Sequence, residues 1–201
     1  MRSYTLFLAL LITTPILAEE RYSCMDQAAH RQFDFWVGSW QVTNKDGDKT
    51  YGTNTITIEE AGCLLRESWQ SASGSTGSSI NYFSPADGKW HQHWIDSGSS
   101  IITIAGTLVE GSMAMSGDIY YLGEARRAEF RGLWTPLPDG SVRQFFEQQD
   151  PESKEWLLSS LGRYKIAVKT EWHPGAQLHY RHRRRTEVLR VDDPDLTELR
   201  H

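Results

Sequence analysis

Residues 33–43, FDFWVGSWQVT, decide the fold, because they lead the chain from a short aromatic segment into the first of many strands. From Trp36 onward, short apolar or alternating runs are separated by turn residues, which is typical of a meandering antiparallel sheet. Residues 24–35, just before it, carry Ala, Gln and Arg and predict one short helix. The runs predict about ten strands, at 37–43, 52–60, 63–71, 78–84, 89–96, 100–109, 112–118, 126–135, 141–149 and 155–166.

Asp-Gly pairs at 46–47, 87–88 and 139–140 fall where hairpins should turn. Glycine takes the positive φ that tight hairpins require, so these pairs support the strand assignment. An open sheet of about ten strands would leave exposed edges, and closure removes them. The sequence therefore predicts an all-β protein, an antiparallel up-and-down β-barrel of about ten strands, with a two-sheet sandwich as the alternative.

The N-terminus has the form of a cleavable signal peptide over residues 1–18. Arg2 gives the positive start, Leu6 to Leu11 the apolar core, and Ala18 a small residue before Glu19 and Glu20. The apolar run is too short to span a bilayer, so no transmembrane segment is predicted. A lipid anchor would need a cysteine at the cleavage junction, whereas the first cysteine comes at residue 24. The prediction is an exported protein, periplasmic or extracellular.

The two cysteines, Cys24 and Cys63, both lie in the exported part. An even count in an oxidising compartment predicts a disulfide between them, with two free thiols or half a metal site as the alternatives. The chain has 21 basic and 26 acidic residues, a formal net charge of −5. This mildly acidic balance argues against a nucleic-acid partner, which usually needs a basic face.

The C-terminal residues 167–201 differ in character from the strands before them. A basic block, HYRHRRR at 179–185, is followed by an acidic one, DDPDLTE at 192–198. Adjacent blocks of opposite charge predict a solvated, flexible tail, with docking to an anionic surface as the alternative.

Eight tryptophans are the most informative feature of the composition. Large rings inside a barrel either fill it or line a cavity. In WHQHWID at 90–96, alternation places Trp90, Gln92 and Trp94 on one face and His91 and His93 on the other. Because burying indoles is favourable and burying two imidazoles needs partners for each ring nitrogen, we expect the tryptophan face to point inward. The predicted ligand-binding residues are Glu67, Trp69, Asn81, Trp90, Gln92, Trp94, Trp134 and Gln144.

Catalytic and metal signals are weak by comparison. The pair His91 and His93 offers two metal ligands, but the sequence shows no third, and no metal site or other cofactor is predicted. Nucleophile elbows, H-E-x-x-H and phosphate-binding glycine loops do not occur. A minority alternative is a hydrolase or isomerase that uses Glu67, Asp96 or Glu147 as general base.

Gly38-Ser39-Trp40 on the first strand resembles the G-x-W motif of lipocalins and other calycin barrels, and Gly162-Arg163-Tyr164 on the last resembles their closing arginine. The wider pattern, with HRQFDFWVGSWQV, Arg66-Glu67-x-Trp69, WHQHWID and Trp134-Thr135-Pro136, is similar to an uncharacterised bacterial family of exported lipocalin-like domains, over residues 24–166. His93 and the charged tail depart from that family. Nitrobindin-like haem barrels use a histidine near the last strand, and 155–166 has none.

This resemblance implies a calycin-type barrel of ten strands in which Arg163 packs on Trp40, with Gly38 beside them as a structural residue. By analogy of fold, it also implies binding of a small hydrophobic molecule. The overall prediction is a monomer or weak dimer that binds a small apolar or aromatic molecule. The main alternative is a structural or interaction module of the cell envelope, with the barrel filled by its own tryptophans.

Overall fold

A computed structural model describes residues 22–168, and these residues form a closed barrel of ten antiparallel strands. Each strand pairs with its neighbours in sequence, and β1 closes the barrel against β10. The all-β, up-and-down barrel predicted from the sequence is confirmed. The strands are β1 (Gly38–Thr43), β2 (Thr50–Glu59), β3 (Leu64–Ser71), β4 (Thr76–Ser84), β5 (Lys89–Asp96), β6 (Ser100–Val109), β7 (Ser112–Tyr121), β8 (Arg126–Pro136), β9 (Val142–Gln149) and β10 (Trp156–Val168).

The hairpin turns have the backbone geometry that the sequence predicts. Gly47, Gly88 and Gly140 have φ values of 78°, 70° and 81°. A residue with a Cβ is disfavoured at such angles, which explains the Asp-Gly pairs at these turns. The signal-peptide prediction and nearly all of the tail prediction fall outside the described residues, although β10 continues to Val168.

The segment before β1 forms three 3₁₀ turns rather than the one short helix that the sequence predicts. They span Cys24–Asp26, Ala28–Arg31 and Asp34–Trp36. Gln27, with φ −100° and ψ 116°, is extended and interrupts the helical path. No helix within residues 22–168 is long and apolar enough to cross a membrane.

The barrel has two different ends, because successive hairpins of an up-and-down barrel alternate between them. The β2–β3, β4–β5, β6–β7 and β8–β9 turns lie at the end that the N-terminal segment covers, which we name the plug end. The β1–β2, β3–β4, β5–β6, β7–β8 and β9–β10 turns surround the opposite end, which we name the cavity end.

A disulfide joins Cys24 to Cys63, as predicted, with 5.0 Å between the two Cα atoms. It ties the first 3₁₀ turn to the residue just before β3. Arg31 reinforces this connection, since its Nη2 donates to the carbonyl oxygen of Gly62 at 2.5 Å. The N-terminal segment is therefore held to the β2–β3 turn by a covalent bond and a hydrogen bond.

Replacing both cysteines by alanine is expected to lower the free energy of unfolding by about 3 to 4 kcal/mol, because the bridge constrains the unfolded chain. The crosslinked residues are 39 positions apart. Denaturant unfolding of the wild-type and double-alanine proteins checks this, with reduced wild type as the control. An unchanged unfolding midpoint in both would show that the bridge is not a significant source of stability.

Candidate ligand-binding site

The plug end of the barrel is filled by four aromatic side chains, which we name the aromatic plug: Phe33, Trp36, Trp90 and Trp134. Phe33 stacks on Trp36 with 4.9 Å between ring centroids and meets Trp90 and Trp134 edge-on. Nε1 of Trp90 donates to the carbonyl oxygen of Ala29 at 3.1 Å, which joins β5 to the N-terminal segment. All four rings are almost fully buried, so this end has no room for a ligand.

Toward the cavity end, the barrel interior opens into a cavity of about 460 Å³. Aromatic rings form much of its wall, and polar side chains lie at its inner floor and at its mouth. The aromatic lining residues are Tyr51, Trp69, Trp94, Phe146 and Tyr164. The polar ones include Glu67, Gln92, Asp96, Ser100 and Gln144.

The Trp94 ring lies over Gly77 of β4, two residues from its cross-strand partner Ser79, and needs a glycine there. A Cβ on Gly77 would overlap the Trp94 ring. Gly77 is also paired with Trp69 on β3 and with Asp96 on β5. The missing side chain therefore makes space between the two indoles that line the cavity.

Glu67 is the central group of the floor. It lies on β3, only 4% exposed, between Ile56 of β2 and Ser79 of β4. Its Oε1 accepts from Nδ2 of Asn54 at 2.6 Å, and its Oε2 accepts from Oγ of Ser79 at 2.6 Å. Burial raises the pKa of Glu67 from 4.5 to about 7, although both hydrogen bonds act against that rise.

Hydrogen bonds extend from Glu67 in both directions around the barrel. On one side, Asn54 Nδ2 donates to the Tyr164 hydroxyl at 3.2 Å, and that hydroxyl donates to Gln144 Oε1 at 3.0 Å. On the other, Gln92 donates to Asn81 and Asn81 donates to Ser79, both at 2.8 Å. We name this chain the polar belt: Gln92, Asn81, Ser79, Glu67, Asn54, Tyr164 and Gln144.

The polar belt separates the aromatic plug from the cavity. Tyr164 contacts Trp36 edge-on, and Gln144 is the cross-strand partner of Trp134. Burial, and then the charge of Glu67, raise the pKa of Tyr164 well above its ordinary value, so this hydroxyl stays protonated. The belt thus gives the cavity a rigid polar floor with one titratable carboxyl near neutrality.

Asp96 stands at the mouth of the cavity, where β5 ends. Its carboxylate accepts from the backbone N–H and hydroxyl of Ser100 and from Nε1 of Trp94. Partial burial raises the pKa of Asp96, but these hydrogen bonds outweigh it and the net pKa lies below the ordinary value. Asp96 is therefore ionised at neutral pH.

The predicted ligand-binding residues divide into three groups in the structure. Five of them line the cavity: Glu67, Trp69, Gln92, Trp94 and Gln144. Asn81 lies in the belt, fully buried, while Trp90 and Trp134 belong to the aromatic plug. Binding of a ligand by these residues stays a prediction.

Sequence reasoning did not select Asn54, Ser79 or Tyr164, although all three belong to the belt. For Asn54 the signal was present, because it shares the inward face of β2 with Ile56. The signal at Tyr164 is limited to its place beside Arg163 in the motif Gly162-Arg163-Tyr164. No local signal identifies Ser79, which gains its role from lying beside Glu67 on the neighbouring strand.

The three carboxyl groups that the sequence offers as general bases do not all lie in the cavity. Glu67 and Asp96 line the cavity, but Glu147 lies on the outer side of β9. There its Oε2 accepts from Nε of Arg131 at 2.6 Å. Glu147 is therefore wrong as a candidate for a group acting inside the cavity.

Gly38 and Trp40, two of the residues assigned to the lipocalin motifs, lie close together. A Cβ placed on Gly38 would be 3.5 Å from the Trp40 ring. Trp40 is buried and its Nε1 donates to the carbonyl oxygen of Trp36 at 2.8 Å. Arg163 pairs with Thr43 across β1 and β10. Burial raises the pKa of Asp139, but hydrogen bonds from Ser141, aided by the charge of Arg163, hold that pKa below its ordinary value. Packing of Arg163 on Trp40 stays a prediction.

The two histidines of β5 lie outside the cavity lining. His91 is half-buried, stacks on Tyr82 at 5.3 Å between centroids, and its Nε2 is 2.8 Å from Asp87 Oδ2. His93 is exposed. Within residues 22–168, no three His, Cys, Asp or Glu side chains come together in a way that would hold a metal ion.

Fold and site together define a closed, ten-stranded antiparallel barrel with an internal cavity at one end, an architecture consistent with calycin-like proteins. The sequence matches no family model, and no curated protein is significantly similar to it. The likeness to lipocalins therefore rests on the motifs and on this architecture.

Proposed function

We propose that this protein is an exported binding protein that holds a small, largely aromatic or apolar molecule in the barrel cavity, with the polar end of the ligand at the polar belt. The observation that carries the proposal is the cavity of about 460 Å³ with aromatic walls and a polar floor. Small-molecule sites typically measure about 300 to 1,000 Å³ and combine apolar walls with a few convergent polar groups.

Export is supported by the disulfide between Cys24 and Cys63, because such bonds persist mainly in oxidising compartments. The structural alternative, a barrel filled by its own tryptophans, accounts for the plug end alone. Trp69 and Trp94 line open space instead of filling it. A monomer or weak dimer remains our proposal for the oligomeric state.

Trp94→Ala is expected to weaken retention of the bound ligand at least about tenfold, because a buried aromatic contact is lost from the cavity wall. His93→Ala, one residue away on the opposite face of β5, is the matched control and should leave retention unchanged. Native mass spectrometry of the full chain, purified from its exporting host, measures the fraction carrying an added mass. Equal losses in both variants would contradict a site inside the barrel.

A second candidate function is proton transfer to or from a bound substrate by Glu67. One observation favours it: a carboxyl with a pKa near 7 lies within a cavity, where a general base is effective. In deuterated water, a ligand from whose carbon Glu67 removes a proton would be released by the wild-type protein with deuterium in its place and a higher mass, while Glu67→Gln would bind the ligand and return it unaltered. Binding without any change in the mass of the ligand would contradict proton transfer and support the carrier function.

A further inference from the structure

The cavity lining carries charge of only one sign. Two carboxyl groups, Glu67 and Asp96, belong to it, and none of its described residues is Lys, Arg or His. Arg131 and Arg143 of the neighbouring strands β8 and β9 line a groove on the outer side of the barrel instead. An anionic ligand would meet repulsion in the cavity and no compensating cation among the described lining residues.

The aromatic walls of the cavity favour a cationic ligand, as the two carboxyl groups do. Trp69, Trp94, Tyr51 and Phe146 present aromatic rings to the cavity. Aromatic faces carry partial negative charge and attract ammonium groups, most strongly when tryptophan supplies the ring and water is excluded. A set of aromatic walls with carboxylates at both ends of the space is thus complementary to an organic cation.

Glu67 has unused acceptor capacity, and it is the carboxyl group of the polar belt. An ionised carboxylate offers about four lone-pair sites. The described hydrogen bonds to Glu67 come from Asn54 and Ser79, one to each oxygen. A ligand N–H therefore finds free acceptor sites on a carboxylate whose orientation is already fixed by its neighbours.

We propose that the cavity binds an organic ammonium ion, with an aromatic or aliphatic body against Trp69 and Trp94 and the cationic nitrogen against the carboxylate of Glu67. The inference rests on the proposed function and adds to it the class of ligand. Asp96, held by Ser100 and Trp94, makes the mouth negative and attracts the cation toward the cavity.

Binding of a cation is coupled to ionisation of Glu67. A buried carboxylate without a cation is disfavoured, and an ammonium group compensates its charge. The groups that face Glu67 are Asn54 from β2, Ser79 from β4 and Tyr164 from β10, and Tyr164 stays protonated. Asp96 is ionised throughout, so Glu67 is the lining group that titrates near neutrality.

Three probes with the same body and different charge test the inference: phenylpropylamine, phenylpropanol and phenylpropionate. Isothermal titration of the full-length exported protein measures the affinity of each. We expect the ammonium probe to bind at least about tenfold more tightly than the alcohol, and the carboxylate probe to bind most weakly.

Glu67→Gln keeps the shape of the side chain and removes its charge. The amide oxygen accepts from Asn54 Nδ2 as Oε1 of Glu67 does, while the amide N–H group donates to Ser79 Oγ, which reverses the direction of that hydrogen bond. The substitution should reduce affinity for phenylpropylamine about tenfold and leave phenylpropanol within about threefold. Glu129→Gln, the same substitution at an exposed position on β8, is the control and should change neither. Thermal unfolding of each variant verifies that the barrel is folded.

The pH dependence of affinity for phenylpropylamine tests the same inference on the wild-type protein, without a substitution. Because the pKa of Glu67 is about 7 and its ionised form binds the cation, affinity for phenylpropylamine should rise about tenfold from roughly pH 6 to roughly pH 8. Glu67→Gln should abolish this rise.

Equal or tighter binding of the alcohol would overturn the ammonium inference and leave the proposed binding function intact. Binding of the carboxylate probe in preference to the other two would also overturn it. If none of the three probes binds and no added mass is retained, the proposed function fails together with the inference.

Discussion

Trp134→Ala is expected to lower the free energy of unfolding by about 3 to 5 kcal/mol, the loss typical of deleting a large buried ring. Trp134 is fully buried and its ring contacts Phe33, Trp36 and Phe146. Removing it would leave a void in the aromatic plug. Since small domains are stable by only about 5 to 15 kcal/mol, this single change should cost a large part of the total.

Two further variants separate packing from other effects of this substitution. Trp134→Phe keeps an aromatic ring and removes the Nε1 donor, which has no partner in the described residues, so its cost should be much smaller. Trp156→Ala removes an indole on the outer side of the barrel, where Arg131 lies over the ring at 4.1 Å, and should cost about 1 kcal/mol or less. Chemical denaturation followed by far-ultraviolet circular dichroism measures all three. Equal decreases in unfolding free energy for Trp134→Ala and Trp156→Ala would contradict the conclusion that packing in the aromatic plug is a main source of stability.

The strands could be predicted from the sequence because alternation and Asp-Gly turns are local signals. Alternation also gives the inward face of β5 correctly, since Trp90 and Gln92 are buried there. It does not give the height of a residue along the barrel. Trp90 and Trp94 share a face, but about 13 Å of strand separates them, so one belongs to the plug and the other to the cavity.

The polar belt could not be predicted, because its contacts depend on register between distant strands. Asn54 and Tyr164, for example, are 110 positions apart in sequence. The same reason applies to Trp134, for which alternation is equally compatible with lining a cavity and filling the plug. In the structure the Trp134 ring meets Phe33, which belongs to the N-terminal segment that the disulfide joins to the barrel.

Glu67→Gln is expected to change the pH dependence of stability by about 3 kcal/mol, the free energy that corresponds to a pKa raised from 4.5 to about 7. Between those two pH values the folded protein keeps a proton on Glu67 that the unfolded chain has released. The free energy of unfolding therefore falls as pH rises through this window. Its contribution from Glu67 is fully present below the unfolded pKa and is lost above about pH 7.

The measured quantity is the difference in unfolding free energy between Glu67→Gln and the wild type, obtained from denaturant curves without added ammonium salts. This difference should become more favourable to the variant by about 3 kcal/mol from roughly pH 4 to roughly pH 8, since glutamine does not titrate. Taking the difference cancels the contributions of other groups, including Asp34, whose pKa is also raised by burial. Glu129→Gln, at an exposed position, should give a flat difference over the same range. A flat difference for Glu67→Gln as well would mean that Glu67 titrates like an exposed carboxyl. In that case the polar belt would be open to water. The cavity floor would then lack the buried carboxyl group, titrating near neutrality, on which the proposed cation binding depends.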